Sequence, residues 1–271
     1  MEEAGRGVPH VAALSTPPRG RRRLRILAAA DAFVLAGGLF LVGGRFWVGD
    51  LGRSAAVARF RAAGPAATSA TPVAGLPATG VYRYRTTGGE VVSLFDTRRD
   101  YSPETMRIVT RQGCGVREEQ FFVLQHIEYY DRCGDRLATY GTDIAYWWTH
   151  GTQDFACRGG TFDMAGRAPG AREEWDCADE DTSAHQITEY IGDATVAVGG
   201  VTMPARHVRW TTLFSGATVG GALVDDWFDP GTGLVLRETR SIGLKVGSLF
   251  VGHLTYADVS EFTLLSMSPD R

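Results

Sequence analysis

The sequence predicts an all-β domain, a curved antiparallel sheet or half-open barrel, preceded by one N-terminal transmembrane helix. Three observations carry this reading. From Ala78 onward, Tyr, Trp, Phe, Val and Thr recur in short alternating runs between Gly, Asp and Pro clusters, the pattern of half-buried strands and tight turns. No stretch beyond residue 79 keeps a helical apolar period, which excludes an α/β architecture. Ahead of this region, Ile26–Gly44 is a run of 19 residues broken by a single charge, Asp31.

The chain divides accordingly into a cytoplasmic tail (1–23), a transmembrane helix (24–48), an Ala/Gly/Pro-rich stalk or linker (49–78) and an extracytoplasmic β domain (79–271). At 1.5 Å per residue the apolar run spans roughly 28 Å, enough for a hydrocarbon core of about 30 Å. Asp31 sits six residues inside the run, near one interface, where its cost falls below the ~3 kcal/mol of a central charge. Phe46 and Trp47 form an aromatic pair suited to the far interface. The first 25 residues carry a net charge of +4, dominated by Arg19, Arg21, Arg22, Arg23 and Arg25. The positive-inside rule holds that end in the cytoplasm and exports the rest. Ala32–Val42 followed by Gly43-Gly44 also fits a secretory signal peptide, and under either reading residues 79–271 leave the cytoplasm.

Within 49–78, Arg53 to Ala63 reads as an extension of the membrane helix or a short stalk helix, and Gly64 to Pro77 as a flexible linker. Strands follow at 80–86, 90–95, 105–112, 116–122, 125–132, 136–140, 144–148, 153–158, 174–177, 185–191, 194–198, 201–204, 207–213, 222–228, 234–241, 249–257 and 262–267, with some neighbours free to fuse. Gly199-Gly200 is a two-residue hairpin signal. Asp229-Pro230-Gly231-Thr232-Gly233 reads as a turn whose glycines permit positive φ. Gly88-Gly89 is read as the turn between the first two strands.

The four cysteines, Cys114, Cys133, Cys157 and Cys177, all lie beyond the apolar segment. An even count in an exported domain implies disulfides. Gly166 to Gly170 marks a loop midway between Cys157 and Cys177, so those two face each other across a hairpin, leaving Cys114 for Cys133. A four-thiolate zinc site competes poorly, because its ligands come as close pairs and the gaps here are 19, 24 and 20 positions.

Composition removes several chemistries. Lys245 is the only lysine and Asn is absent, so no P-loop Gly-Lys-Ser/Thr and no N-glycosylation acceptor exist. The Arg-for-Lys usage suggests a GC-rich genome. Residues 79–271 carry 18 basic and 27 acidic side chains, a balance opposed to nucleic-acid binding. His126, His150, His185, His207 and His253 show no metal-ligand spacing, and no Gly-x-Ser-x-Gly elbow exists. The pairs Glu118-Glu119, Glu173-Glu174 and Asp225-Asp226 place neighbours on opposite strand faces. They read as solvated, with Asp226 beside Trp227 the exception. The most unusual feature is aromatic: Tyr146-Trp147-Trp148 with Phe155 and Trp175. Core packing explains it first; an apolar cleft lined by Tyr146, Trp148, Phe155 and Trp227 is the functional alternative.

The segment Tyr190 to Arg237 has a further pattern. Tyr190-Ile191-Gly192 and Val196 to Gly200 precede Pro204-Ala205-Arg206-His207-Val208, then Asp225-Asp226-Trp227-Phe228-Asp229-Pro230 and Gly233-Leu234-Val235-Leu236-Arg237. It resembles the periplasmic lipoprotein-carrier superfamily of half-open antiparallel barrels, in which a Trp/Tyr-x-Asp-Pro hairpin ends in Thr-Gly-Leu-Pro-x-Arg. Val235 stands where that pattern has Pro. The chain also resembles membrane-tethered exported proteins of unassigned function from high-GC bacteria, which share a Gly-Cys-Gly segment (here Gly113-Cys114-Gly115). Together these imply a non-catalytic, membrane-anchored domain with no cofactor or metal, whose partners are the membrane, a lipid or other apolar ligand, or an envelope protein. An extracytoplasmic hydrolase using Asp226, Glu189 or a histidine pair, and a structural assembly protein with a filled core, are the alternatives.

Overall fold

The computed structural model describes residues 49–271 except 70, 72, 94–96, 147–148 and 249–251. The predicted tail and transmembrane segment lie outside the described residues. Among the described residues no helix is long and apolar enough to cross a membrane.

Among the described residues thirteen strands run in chain order: β1 (Gly80–Val92), β2 (Thr97–Asp100), β3 (Glu104–Gln112), β4 (Gly115–Val123), β5 (His126–Cys133), β6 (Arg136–Tyr146), β7 (Thr149–Arg158), β8 (Arg172–Ala178), β9 (Thr182–Val198), β10 (Val201–Gly216), β11 (Thr218–Phe228), β12 (Val235–Ser248) and β13 (Gly252–Leu264). From β3 to β13 each strand pairs antiparallel with the next, and β1 joins β3 on one side and β13 on the other. The pairing of Tyr84–Val92 with Tyr256–Leu264 closes the sheet. In place of the expected curved sheet or half-open barrel there is a closed 12-strand barrel, with β2 paired to β1 beyond the β1–β3 ladder. Closure rests on a long-range pairing that local alternation does not encode.

Gly88-Gly89 is not a turn. Both residues lie inside β1, where its neighbour changes: residues 80–85 pair with β3 and residues 89–92 with β2. Gly88 has φ 94°, and a Cβ there would lie 2.1 Å from the Val259 carbonyl oxygen, so the barrel wall passes too close for a side chain. The stretches 185–191 and 194–198 likewise fuse into β9, and 201–204 and 207–213 into β10. The two expected turns form. Gly199 and Gly200 have φ of 57° and 85°. In the Asp229 turn, Gly233 N–H donates to the Asp229 carbonyl at 2.8 Å, and Asp229 Oδ2 accepts from Thr232 N–H at 2.8 Å and Thr232 Oγ1–H at 2.6 Å.

Part of the predicted stalk is a helix, α1 (Arg53–Ala62), docked on the outer wall. Ala56 and Phe60, one turn apart, are buried against Val81, Met106, Ile108 and Phe121, outward residues of β1, β3 and β4. Arg53 pairs with Asp270 at 2.5 Å and Arg59 with Glu119 at 3.1 Å, fastening both ends of the helix.

Two disulfides, Cys114–Cys133 and Cys157–Cys177, join the pairs expected from the loop positions. Cys157 and Cys177 are direct cross-strand partners on β7 and β8. Cys114 in the β3–β4 turn reaches the end of β5. Inside, one end of the barrel is filled by Tyr82, Tyr84, Val109, Val116, Leu234, Leu236, Phe262 and Leu264. A second cluster around Phe155, Phe162, Trp175, Trp210 and Phe228 covers the inner faces of β6 to β11.

Candidate functional site: the barrel interior

Strand alternation turns every second side chain inward, and the inward set here is only partly apolar. On β5 it reads His126, Glu128, Tyr130, Arg132; on β12 it includes Glu238 and Arg240; on β4, Glu118 and Gln120. These charges meet in one network. Arg132 pairs with Glu118 at 2.7 Å, and Arg107 with Glu238 at 3.0 Å and Glu118 at 3.5 Å. Arg240 pairs with Glu128 at 2.6 Å and faces Asp258 at 3.4 Å and Glu238 at 3.6 Å. His126 Nδ1 lies 2.7 Å from Glu90 and Nε2 3.6 Å from Glu128. Arg99 joins Glu90 at 3.2 Å. The hydroxyls of Tyr101 and Tyr256 also donate to Glu90, at 3.2 and 3.0 Å. Glu118, expected to be solvated, is fully buried, because the inward phase of β4 sets it between two guanidinium groups. Its neighbour Glu119 faces out, toward Arg59.

The network sets protonation. Burial disfavours a charged imidazole, but Glu90 and Glu128 outweigh it and push the His126 pKa up to about 9. Burial also opposes ionised Glu128, yet Arg240 and His126 hold its carboxyl well below the usual range. Asp226 goes the other way. Burial and then Glu238, its direct cross-strand neighbour on β12, raise its pKa well above the ordinary aspartate value, against Arg107 and Arg240. Asp226 is therefore a carboxyl that its surroundings push toward the protonated form.

Beside this network the interior is not filled. A cavity of about 380 Å³ is bounded by Arg107, Glu128, Asp226, Glu238 and Arg240 on its charged side. Its apolar walls include Leu137, Phe162, Trp210, Phe214, Val224, Val235, Ile242 and Leu244, and it extends along β12 and β13 to Val246, Gly247 and Leu254. Its size falls in the range of small-molecule pockets.

Of the four residues the sequence suggested as cleft-lining, Phe155 and Trp227 have described side chains, and neither lines this cavity. Tyr146 ends β6 with its side chain outside the described set, and Trp148 lies outside the described residues. Phe155 is buried in the aromatic cluster, stacked on the cavity-lining Tyr140 at 5.5 Å. Trp227 sits on the opposite strand face from inward Asp226, between the His207 ring at 4.3 Å and the Arg237 guanidinium at 4.7 Å. On the same outer face Asp225, expected to be solvated, holds His207 at 2.7 Å and Arg209 at 3.0 Å. Sequence reasoning missed the buried network, whose signal was present: charged residues two apart, in phase with inward aromatics. Among the described residues no group of three or more His, Cys, Asp or Glu is placed to hold a metal ion.

No protein-family model matches the chain, and no curated protein matches it. Among solved structures, the hypothetical lipoprotein YmcC from Escherichia coli K12 aligns with a TM-score of 0.34 and 11% identity, over 70% of this chain and 85% of that one. The likeness is a weak structural resemblance.

Proposed function

We propose that this protein is a non-catalytic β-barrel that binds an apolar small molecule or lipid chain in its interior, on the outer side of a membrane to which its N-terminal segment anchors it. The single observation that carries the reading is the unfilled cavity of about 380 Å³ with its mainly aliphatic and aromatic wall. A purely structural barrel of this kind gains by filling such a space, since an apolar void forfeits packing energy. Two disulfides fit an oxidising, extracytoplasmic compartment. The non-catalytic reading is supported by how the cavity's charges are held. Glu128 and Glu238 are engaged by Arg240 and Arg107, so neither is a free base. Asp226 with Glu238 opposite is the pair that favours a second reading, an acid-assisted hydrolase.

The test is native mass spectrometry of the detergent-extracted full chain, joined to titration with diphenylhexatriene, a fluorescent probe without polar atoms. One probe per chain is expected, with binding abolished in Ala222→Trp, which places a large ring in the cavity wall. Probe binding that is absent, or indifferent to this substitution, would overturn the proposal. Turnover of ester or glycoside substrates that depends on Asp226 would establish the second reading.

A further inference from the structure

Among the described residues of the cavity's polar side, Arg240 Nε and Nη1 make no hydrogen bond but still face Asp258 and Glu238 at 3.4 and 3.6 Å, whereas two further orphaned groups have no such counter-ion. Asp226 Oδ1 and Trp210 Nε1 are both buried and make no hydrogen bond, and both residues line the cavity. An orphaned donor or acceptor in a dry interior is destabilising, because it gives up its bonds to water and gains none. Two such groups facing one unfilled space mark it as a place where something else supplies the bonds. They are also close in the wall. Trp210 on β10 is the cross-strand partner of Val224 on β11, and Asp226 is two residues further along β11, a diagonal same-face pair within side-chain reach.

The surrounding charge says what that partner is. Arg99, Arg107, Arg132, Arg240 and His126 face Glu90, Glu118, Glu128, Glu238 and Asp258, five cations against five carboxylates. Arg206 and Asp163 form a further matched pair at 2.8 Å. Around the cavity, Arg240 is shared among Glu128, Glu238 and Asp258, and Arg107 between Glu118 and Glu238, with Gln120 accepting from it as well. Apart from Asp226, the network thus matches basic and acidic groups one for one. An anionic head group entering here meets carboxylates and finds the Arg107 and Arg240 guanidinium groups already ion-paired. A cationic head group meets Arg107 and Arg240 and must first deprotonate Asp226. Either pays for burying a charge without a matched counter-ion.

We infer that the cavity selects an uncharged, hydroxyl-bearing amphiphile, whose hydroxyl oxygen accepts from Trp210 Nε1–H and whose hydroxyl hydrogen is donated to Asp226 Oδ1, with the alkyl part against Val224, Ile242 and Leu244. This rests on the interior-binding reading above and goes one step further, to the chemistry of the head group. One hydroxyl is both donor and acceptor, so it satisfies both orphaned atoms without adding charge.

The test uses the full chain at pH 7, loaded with diphenylhexatriene and displaced by dodecanol, dodecanoate or dodecylammonium, probes of equal chain length that differ in head-group charge. Dodecanol is expected to displace the dye at least about tenfold more effectively than either ion. Trp210→Phe, which keeps an aromatic ring and removes the N–H, should lower the affinity of dodecanol relative to that of the dye by about fivefold. Asp226→Asn, which keeps an acceptor, should retain the preference, and Asp226→Val should lose it. Dye binding in each variant reports that the barrel is folded. Best displacement by dodecanoate or by dodecylammonium overturns the head-group assignment and leaves the cavity reading standing. Failure of the parent chain to bind the dye removes both.

Discussion

Arg240 is the side chain whose removal the structure prices most clearly. Its Nη2 donates to Glu128 Oε1 at 2.6 Å, Asp258 and Glu238 stand at 3.4 and 3.6 Å, and the guanidinium lies 4.8 Å over the Phe122 ring. Arg240→Met keeps much of the aliphatic volume and strands three acidic groups in the interior. Removing one partner of a buried ion pair costs about 3–5 kcal/mol, so a loss of about 4 kcal/mol at pH 7 is expected. For a chain of this size that is a drop of about 10 °C in melting temperature. The cost should depend on pH in a definite direction. In the parent, the depressed Glu128 pKa gives stability that is present above the unfolded value near ~4.3 and lost as pH falls through the folded value. Without Arg240 the Glu128 pKa rises, the variant takes up protons on folding, and the gap between variant and parent narrows toward pH 4. Adding Glu128→Gln should recover part of the loss. The assay is urea unfolding of the purified full chain, disulfides intact, from pH 4 to 8. A penalty below about 1 kcal/mol, or one that does not change with pH, would show that the network contributes little, and the reasoning from buried charge would fail.

The imidazolium of His126 has a folded pKa of about 9, so its contribution, on the order of 3 kcal/mol, is complete below about 6.5 and lost as pH rises through 9. Urea unfolding between pH 6 and 10 should show this slope in the parent and lose it in His126→Gln. Gly88→Ala should cost about 3 kcal/mol or more, since the new Cβ meets the Val259 carbonyl. Gly113→Ala, at φ 53° with open space around it, should cost only about 1–2 kcal/mol; equal thermal shifts for the two would refute the close-approach argument.

The all-β antiparallel class, most strand positions, the Gly199-Gly200 and Asp229–Gly233 turns and both disulfides were legible in the sequence. Each rests on a local signal: a period of two, a glycine at a required positive φ, a cysteine at a set distance from a turn. Three features were decided only by tertiary structure. Closure depends on Tyr84–Val92 meeting Tyr256–Leu264, segments far apart in the chain, and nothing in either segment names the other. The helix Arg53–Ala62 takes its partners from outward residues such as Met106 and Phe121, which alternation alone assigns to solvent. The candidate site was the least legible. Alternation says that Glu118 and Glu119, or Asp226 and Trp227, point to opposite faces, but not which face is the interior. Composition favours placing the carboxylate outside, since an unpaired buried charge is costly. Here that rule is overridden because Arg107, Arg132 and Arg240, brought in by other strands, compensate the buried acids. Local sequence determines which way each side chain points relative to its neighbour; closure of the barrel determines which direction is inside.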